Sequence, residues 1–198
     1  MYHFARLPQG GSGAAGSNCA HRFAKVRALH YPPYLTMSAF EQVQAFFDKQ
    51  ELKYRSDPEL GMLQMHVSSR NGSWQCIVHV NTDRNVLSVF YIFPVKVKKA
   101  KRPLLSETLV RANYGLLVGC FEMDYEDGEI RYKSSMPLHG DELSDDVLHH
   151  IVLASAHTFE RYFESLMLVI YSDISPAEAV ARAERKEEDP TFDFEAYR

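Results

Sequence analysis

Asp146, His149, His150 and His157 come nearest, by type and spacing, to a metal-binding set in this chain. On a helix, His150 and His157 lie seven residues apart on one face, with Asp146 one turn before His150. A transition metal needs three or four ligands converging on one point, and a single helix seldom supplies them without partners from another element. All three histidines also fall outside the apolar stripe of their helical pattern. Solvent-facing imidazoles are the plainer reading, and no metal or other cofactor is expected.

Two further clusters invite chemistry. Glu122, Asp124, Glu126, Asp127 and Glu129 crowd together as acid/base candidates, but strand alternation and a turn account for them as solvent-face residues. Lys96, Lys98, Lys99, Lys101 and Arg102 form a basic run suited to phosphate. The chain nevertheless carries a net charge of -4, which opposes long-range attraction to nucleic acid, so a solvated crossover is expected. Cys19, Cys76 and Cys120 are odd in number and widely spaced, which favours reduced thiols and a cytoplasmic setting. GxSxG, P-loop and HExxH patterns are lacking. The expectation is a non-enzyme, the alternative being an enzyme or small-ligand-binding protein with a site assembled from scattered residues.

The elements that would position these groups are legible from period. Phe121 and Met123 alternate with Glu122 and Asp124, and Ile130 and Tyr132 with Arg131 and Lys133, so two strands each bury one face. Asp127-Gly128 tolerates positive φ and predicts a tight antiparallel turn, with acid on one strand facing base on the other. Earlier, Leu63, Met65 and Val67, then Trp74, Cys76, Val78 and Val80, mark two strands about Asn71-Gly72. A third strand follows over 86–93, and a short strand over 52–55 is a further possibility. The 86–93 strand is apolar on both faces, a pattern of central strands covered twice. Val86, Phe90 and Ile92 form one of those faces and are the candidate interface.

Helices are signalled by caps and stripes. Ser38-Ala39-Phe40-Glu41 is a capping box ahead of Val43, Phe46 and Phe47. Pro103 opens a helix lined by Leu104, Leu105, Thr108, Leu109 and Ala112, ending near Asn113 to Gly115. Ser144 with Asp145 and Asp146 caps a long helix whose stripe runs Leu148, Val152, Ser155, Phe159, Tyr162, Leu166 and Ile170, widened by Ile151, Phe163 and Met167. Ser175-Pro176-Ala177-Glu178 starts a last short helix, and no stretch approaches the 18 or so apolar residues of a membrane span.

Charge and composition set the boundaries. Residues 1–36 hold Arg6, Arg22, Lys25 and Arg27 and none of the 26 acidic residues, with a Gly/Ser-rich stretch and Tyr31-Pro32-Pro33-Tyr34. They read as a flexible N-terminal arm or an upstream extension before Met37, a transit peptide being the alternative. An α+β domain over 37–173 follows, then a C-terminal helix and acidic tail over 174–198. The tail alone has no clear period.

Taken in order, Asn71-Gly72-Ser73-Trp74, Tyr91-Ile92-Phe93-Pro94-Val95, Arg111-Ala112-Asn113, Gly119-x-Phe121-x-x-Asp124, Asp127-Gly128 and Ile130-x-Tyr132-Lys133 resemble the YbjN family over 38 to about 171. That family is described as bacterial sensory-transduction regulators. The resemblance implies a twisted antiparallel sheet with amphipathic helices packed on it, like type III secretion chaperones, and no catalytic residues. It implies a non-enzymatic interaction module, chaperone-like or regulatory, that binds a polypeptide partner. A homodimer is expected from the surplus apolar surface of strand 86–93 and of the long helix.

Overall fold

The computed structural model describes residues 37–138 and 143–185. Cys19, the arm over 1–36, His139 and the acidic tail lie outside the described residues. The order is α1 (Ala39–Lys49), β1 (Arg55–Asp57), β2 (Met62–Ser69), β3 (Gly72–Asn81), β4 (Val86–Ile92), α2 (Arg102–Gly115), β5 (Cys120–Met123) and β6 (Ile130–Pro137). Then come α3 (Asp145–Leu148), a π-helical segment (His149–Ala154), α4 (Ser155–Tyr171) and α5 (Pro176–Arg185). The six strands form one sheet in the order β1-β2-β3-β4-β6-β5, and every neighbouring pair is antiparallel.

Period two decides which side of that sheet is core. Met65, Cys76 and Tyr91 sit opposite one another across β2, β3 and β4, and Tyr132 continues the row in β6. All four are buried on the side the helices cover. α4 supplies the matching aromatics: the Trp74 ring lies 5.1 Å from Phe159 and 5.2 Å from Phe163, while Phe121 lies 5.4 Å from Tyr162. Such pairs add about 0.5–1.5 kcal/mol each beyond area burial. Gly72 is needed where β3 meets α4, because its φ is +150° and an added Cβ would come within 2.7 Å of the Phe163 ring.

The capping box at α1 is formed in full, Glu41 returning to the Ser38 N–H at 2.7 Å. α1 buries Val43, Phe46 and Phe47 and packs beside α3, with Lys49 ion-paired to Asp145. α5 buries Pro176, Ala179, Val180 and Ala183 and packs against both α4 and α2, so it belongs to the same helical layer.

Several local expectations shift. The early strand lies at Arg55–Asp57, not 52–55, because Leu52 is drawn into the core. The β5–β6 turn is wider than a two-residue hairpin. Asp124 and Asp127 accept from the Glu126 and Glu129 N–H groups, each at 2.8 Å, and Gly128 takes φ +82°. Leu104 is exposed, since the buried face of α2 runs through Arg102, Leu105, Thr108, Leu109 and Ala112. In the long helix Val169 is buried while Met167 and Ile170 are only half-buried. An extra residue in the π segment rotates everything after it relative to a regular 3.6 period.

Candidate interaction surface

The far face of the sheet carries no described helix. Its centre is β4, where Val86, Phe90 and Ile92 alternate outward from the buried Leu87, Val89 and Tyr91. All three candidate interface residues therefore share this face, and each is half-buried. Phe90 lies directly across from Ile77 on β3 and from Lys133 on β6, while Ile92 faces Gln75 and Arg131. The result is a narrow apolar strip with hydrogen-bonding side chains on both sides.

Charges on β5 and β6 close one flank. Arg131 places its guanidinium 5.0 Å from the Phe90 ring centre, and its Nε and a terminal nitrogen reach the Glu122 carboxylate at 2.9 and 2.8 Å. Lys133 donates to the other carboxylate oxygen. Burial pushes the Glu122 carboxyl up, but the hydrogen bonds from Lys133 and Arg131 outweigh it and hold the group below the ordinary carboxylate range. The guanidinium both shields Phe90 and offers a cation–π contact. On the opposite flank an open groove of about 700 Å³ runs past Lys53, Arg55, Gln64, His66, Gln75 and Ile92, and none of its lining residues is acidic.

The residues singled out for chemistry are dispersed or already engaged. His149 is half-buried with its ring edge-on to His150 at 6.0 Å, whereas His150 and His157 are exposed. Among the described residues no three metal-ligating side chains cluster. In the basic run, Lys96 pairs with Asp127 and Lys101 donates to the Ser172 carbonyl at 2.7 Å. Arg102 is buried, with its guanidinium on the carbonyls of Val97, Tyr125 and Glu126. That run stitches the crossover to the β5–β6 turn and to α4. Cys76 is buried opposite Tyr91, and burial drives its thiol up to about 12 despite the opposing influence of the Tyr91 hydroxyl.

A second exposed apolar surface was not anticipated. Val110, Tyr114, Leu117 and Val118 line the end of α2 and the bend after it. The available signal was the run Tyr114-Gly115-Leu116-Leu117-Val118, too short to show a period.

A model of the YbjN family, described as "Putative bacterial sensory transduction regulator", matches residues 39–167. The chain belongs to the YbjN family. This chain is similar in fold to YbjN from E. coli, whose crystal structure is described as that of "a putative transcription regulator". The TM-score is 0.48 at 9% identity, covering 67% of this chain and 90% of that one. It is also similar to a chain of the HopA1-SchA chaperone-effector complex, with a TM-score of 0.46 at 15% identity, over 63% of this chain and 91% of that one. No curated protein matches this YbjN chain by sequence. No helix among its described residues is long and apolar enough to cross a membrane.

Proposed function

We propose that this YbjN-family protein is a non-enzymatic interaction module, chaperone-like or regulatory, that works from the cytoplasm by binding a polypeptide partner. The observation that carries the reading is the uncovered sheet face, with Val86, Phe90 and Ile92 at its centre and cations on either side. Two copies pair through the apolar strip. A partner segment with acidic and apolar side chains lies in the adjoining groove, which Lys53, Arg55 and His66 line and no described acidic residue does. Such a surface has the anatomy of an interface, an apolar centre inside a polar rim.

Light scattering after size exclusion at micromolar concentration tests the pairing. A mass near that of one 22.7 kDa chain at every concentration sinks the homodimer. Phe90→Glu separates the two copies with the fold intact if the strip is the interface. For the partner, capture with the wild type is compared with Lys53→Glu/Arg55→Glu. A protein retained equally by both does not use the groove, and one lost from the variant does.

A further inference from the structure

The two edges of the sheet are finished differently. At β5 the outward N–H and carbonyl of Phe121 are taken by the Asn113 carboxamide. At the other edge β1 pairs only with β2, Arg55 lying across from Gln64, Ser56 from Leu63 and Asp57 from Met62. The Val80 N–H donates to the Gly61 carbonyl at 2.9 Å, so the odd-numbered residues of β2 turn their backbone groups to β3, and Met62 and Gln64 turn theirs to β1. Arg55 and Asp57 meet them. The N–H and carbonyl of Ser56 therefore face outward, and among the described residues neither has a hydrogen-bond partner.

This edge is held in place. Gln44 of α1 donates to the Ser56 hydroxyl at 3.0 Å, the Tyr54 hydroxyl donates to Asp48 at 2.8 Å, and the Tyr54 ring stands edge-on to Phe47 at 5.3 Å. Arg55, Ser56 and Asp57 are exposed, as are Lys53 and Glu59 on either side. Among the described residues no ion pair engages these charges, Asp57 instead accepting from the Leu60 N–H at 3.1 Å.

The order of the charges singles out a partner. Charges and proline on an edge usually keep a second strand away, and Pro58, lacking an N–H, limits any contact here to a few residues. A block of one sign repels a copy of itself. Lys53-Tyr54-Arg55-Ser56-Asp57-Pro58-Glu59 is instead basic before its centre and acidic after it. Laid antiparallel about Ser56 on a second copy, it sets Arg55 across from Asp57 and Lys53 across from Glu59, each pair made twice by the two-fold axis. Ser56 meets Ser56, and their outward groups exchange both bonds of a hydrogen-bonded pair. Moving the centre to Tyr54, Arg55, Asp57 or Pro58 sets like charges face to face, which is destabilising.

We propose that two copies of this chain pair through β1, antiparallel about Ser56, joining their sheets into one. The pairing requires neither the strip at Phe90 nor an occupant in the groove. A three-residue strand makes a small contact, of the weak and transient class, so it forms at high protein concentration.

Sedimentation velocity and amide hydrogen exchange of the full chain, from low to high micromolar concentration, test this. In the wild type the Ser56 amide is expected to exchange at least about threefold more slowly at the high end, as its N–H gains a partner. Lys53→Glu/Arg55→Glu and Asp57→Lys/Glu59→Lys each set like charges across the axis, and each weakens association about tenfold or more. The chain carrying all of these changes recovers it, as do the two reversed chains mixed in equal amounts, and that recovery also shows the variants folded. A Ser56 amide whose exchange ignores concentration overturns the proposal. So does association that Phe90→Glu abolishes and the charge reversals leave unchanged, since the strip is then the contact.

Discussion

The carboxamide of Asn113 closes both outward-facing backbone groups of Phe121, its Nδ2 donating to the carbonyl at 2.9 Å and its Oδ1 accepting from the N–H at 2.7 Å. β5 is an outer strand of the sheet, paired only with β6. An open strand edge is a template for pairing with another chain, and here a side chain occupies it. Asn113→Ala leaves both groups unpaired and is expected to cost about 1–3 kcal/mol. Chemical denaturation measures the cost, and size exclusion at rising concentration shows whether the freed edge recruits other chains.

The Glu122 pair makes stability depend on pH in a defined direction. A carboxyl held lower in the folded chain than in the unfolded one adds stability above its unfolded value and loses it as pH falls through its folded value. Glu122→Gln is therefore expected to lower stability by about 0.2–1 kcal/mol at pH 7, typical of a partly exposed ion pair. The gap between the two proteins narrows as the pH drops below about 4, the ordinary range for Glu. Urea melts of both proteins across pH 3 to 7, on the scale of ordinary carboxyl titration, check the slope.

Arg102 is a structural cation. Its guanidinium satisfies the carbonyls of Val97 in the crossover before α2 and of Tyr125 and Glu126 in the β5–β6 turn. Arg102→Met keeps the stem but strands those acceptors, and a loss of roughly 2–4 kcal/mol is expected from buried hydrogen bonds to a charged group. Arg102→Lys recovers only part, since an ammonium cannot reproduce the planar fork. Thermal melts of the two variants against wild type rank them.

Cys76 is expected to resist thiol reagents in the native protein, because it is fully enclosed and burial pushes its thiol up to about 12. Peptide mapping after iodoacetamide at pH 8, slightly below an ordinary thiol's value, should find Cys120 modified before Cys76, which reacts only after denaturant is added. Modification of native Cys76 at the rate of Cys120 would show that β3 opens readily.

Much of this protein was legible in its sequence, because caps and short periods are local. Ser38 and Glu41 form their box, and Ser175 accepts from the Glu178 N–H at 3.2 Å at the start of α5. The alternation in β3 and β6 put Trp74 and Tyr132 on buried faces, and the family resemblance over the same span is matched at 39–167. What period could not say is which face of β4 the helices would take, since both faces are apolar. The packing of Phe159 and Phe163 onto Trp74 decides it. Nor could it show the π segment, where Tyr91 donates to the Val152 carbonyl from 61 residues away. The end of α2 falls at Gly115 as its sequence indicates, and only the fold shows that the Asn113 side chain also closes the Phe121 edge. Val110, Tyr114, Leu117 and Val118 carry no period to read, and only the fold leaves them as an exposed apolar ridge. Local chemistry sets turns, caps and faces through neighbours a few residues apart. The choice between two apolar faces, and the exposure of a ridge, depend on contacts between segments distant along the chain.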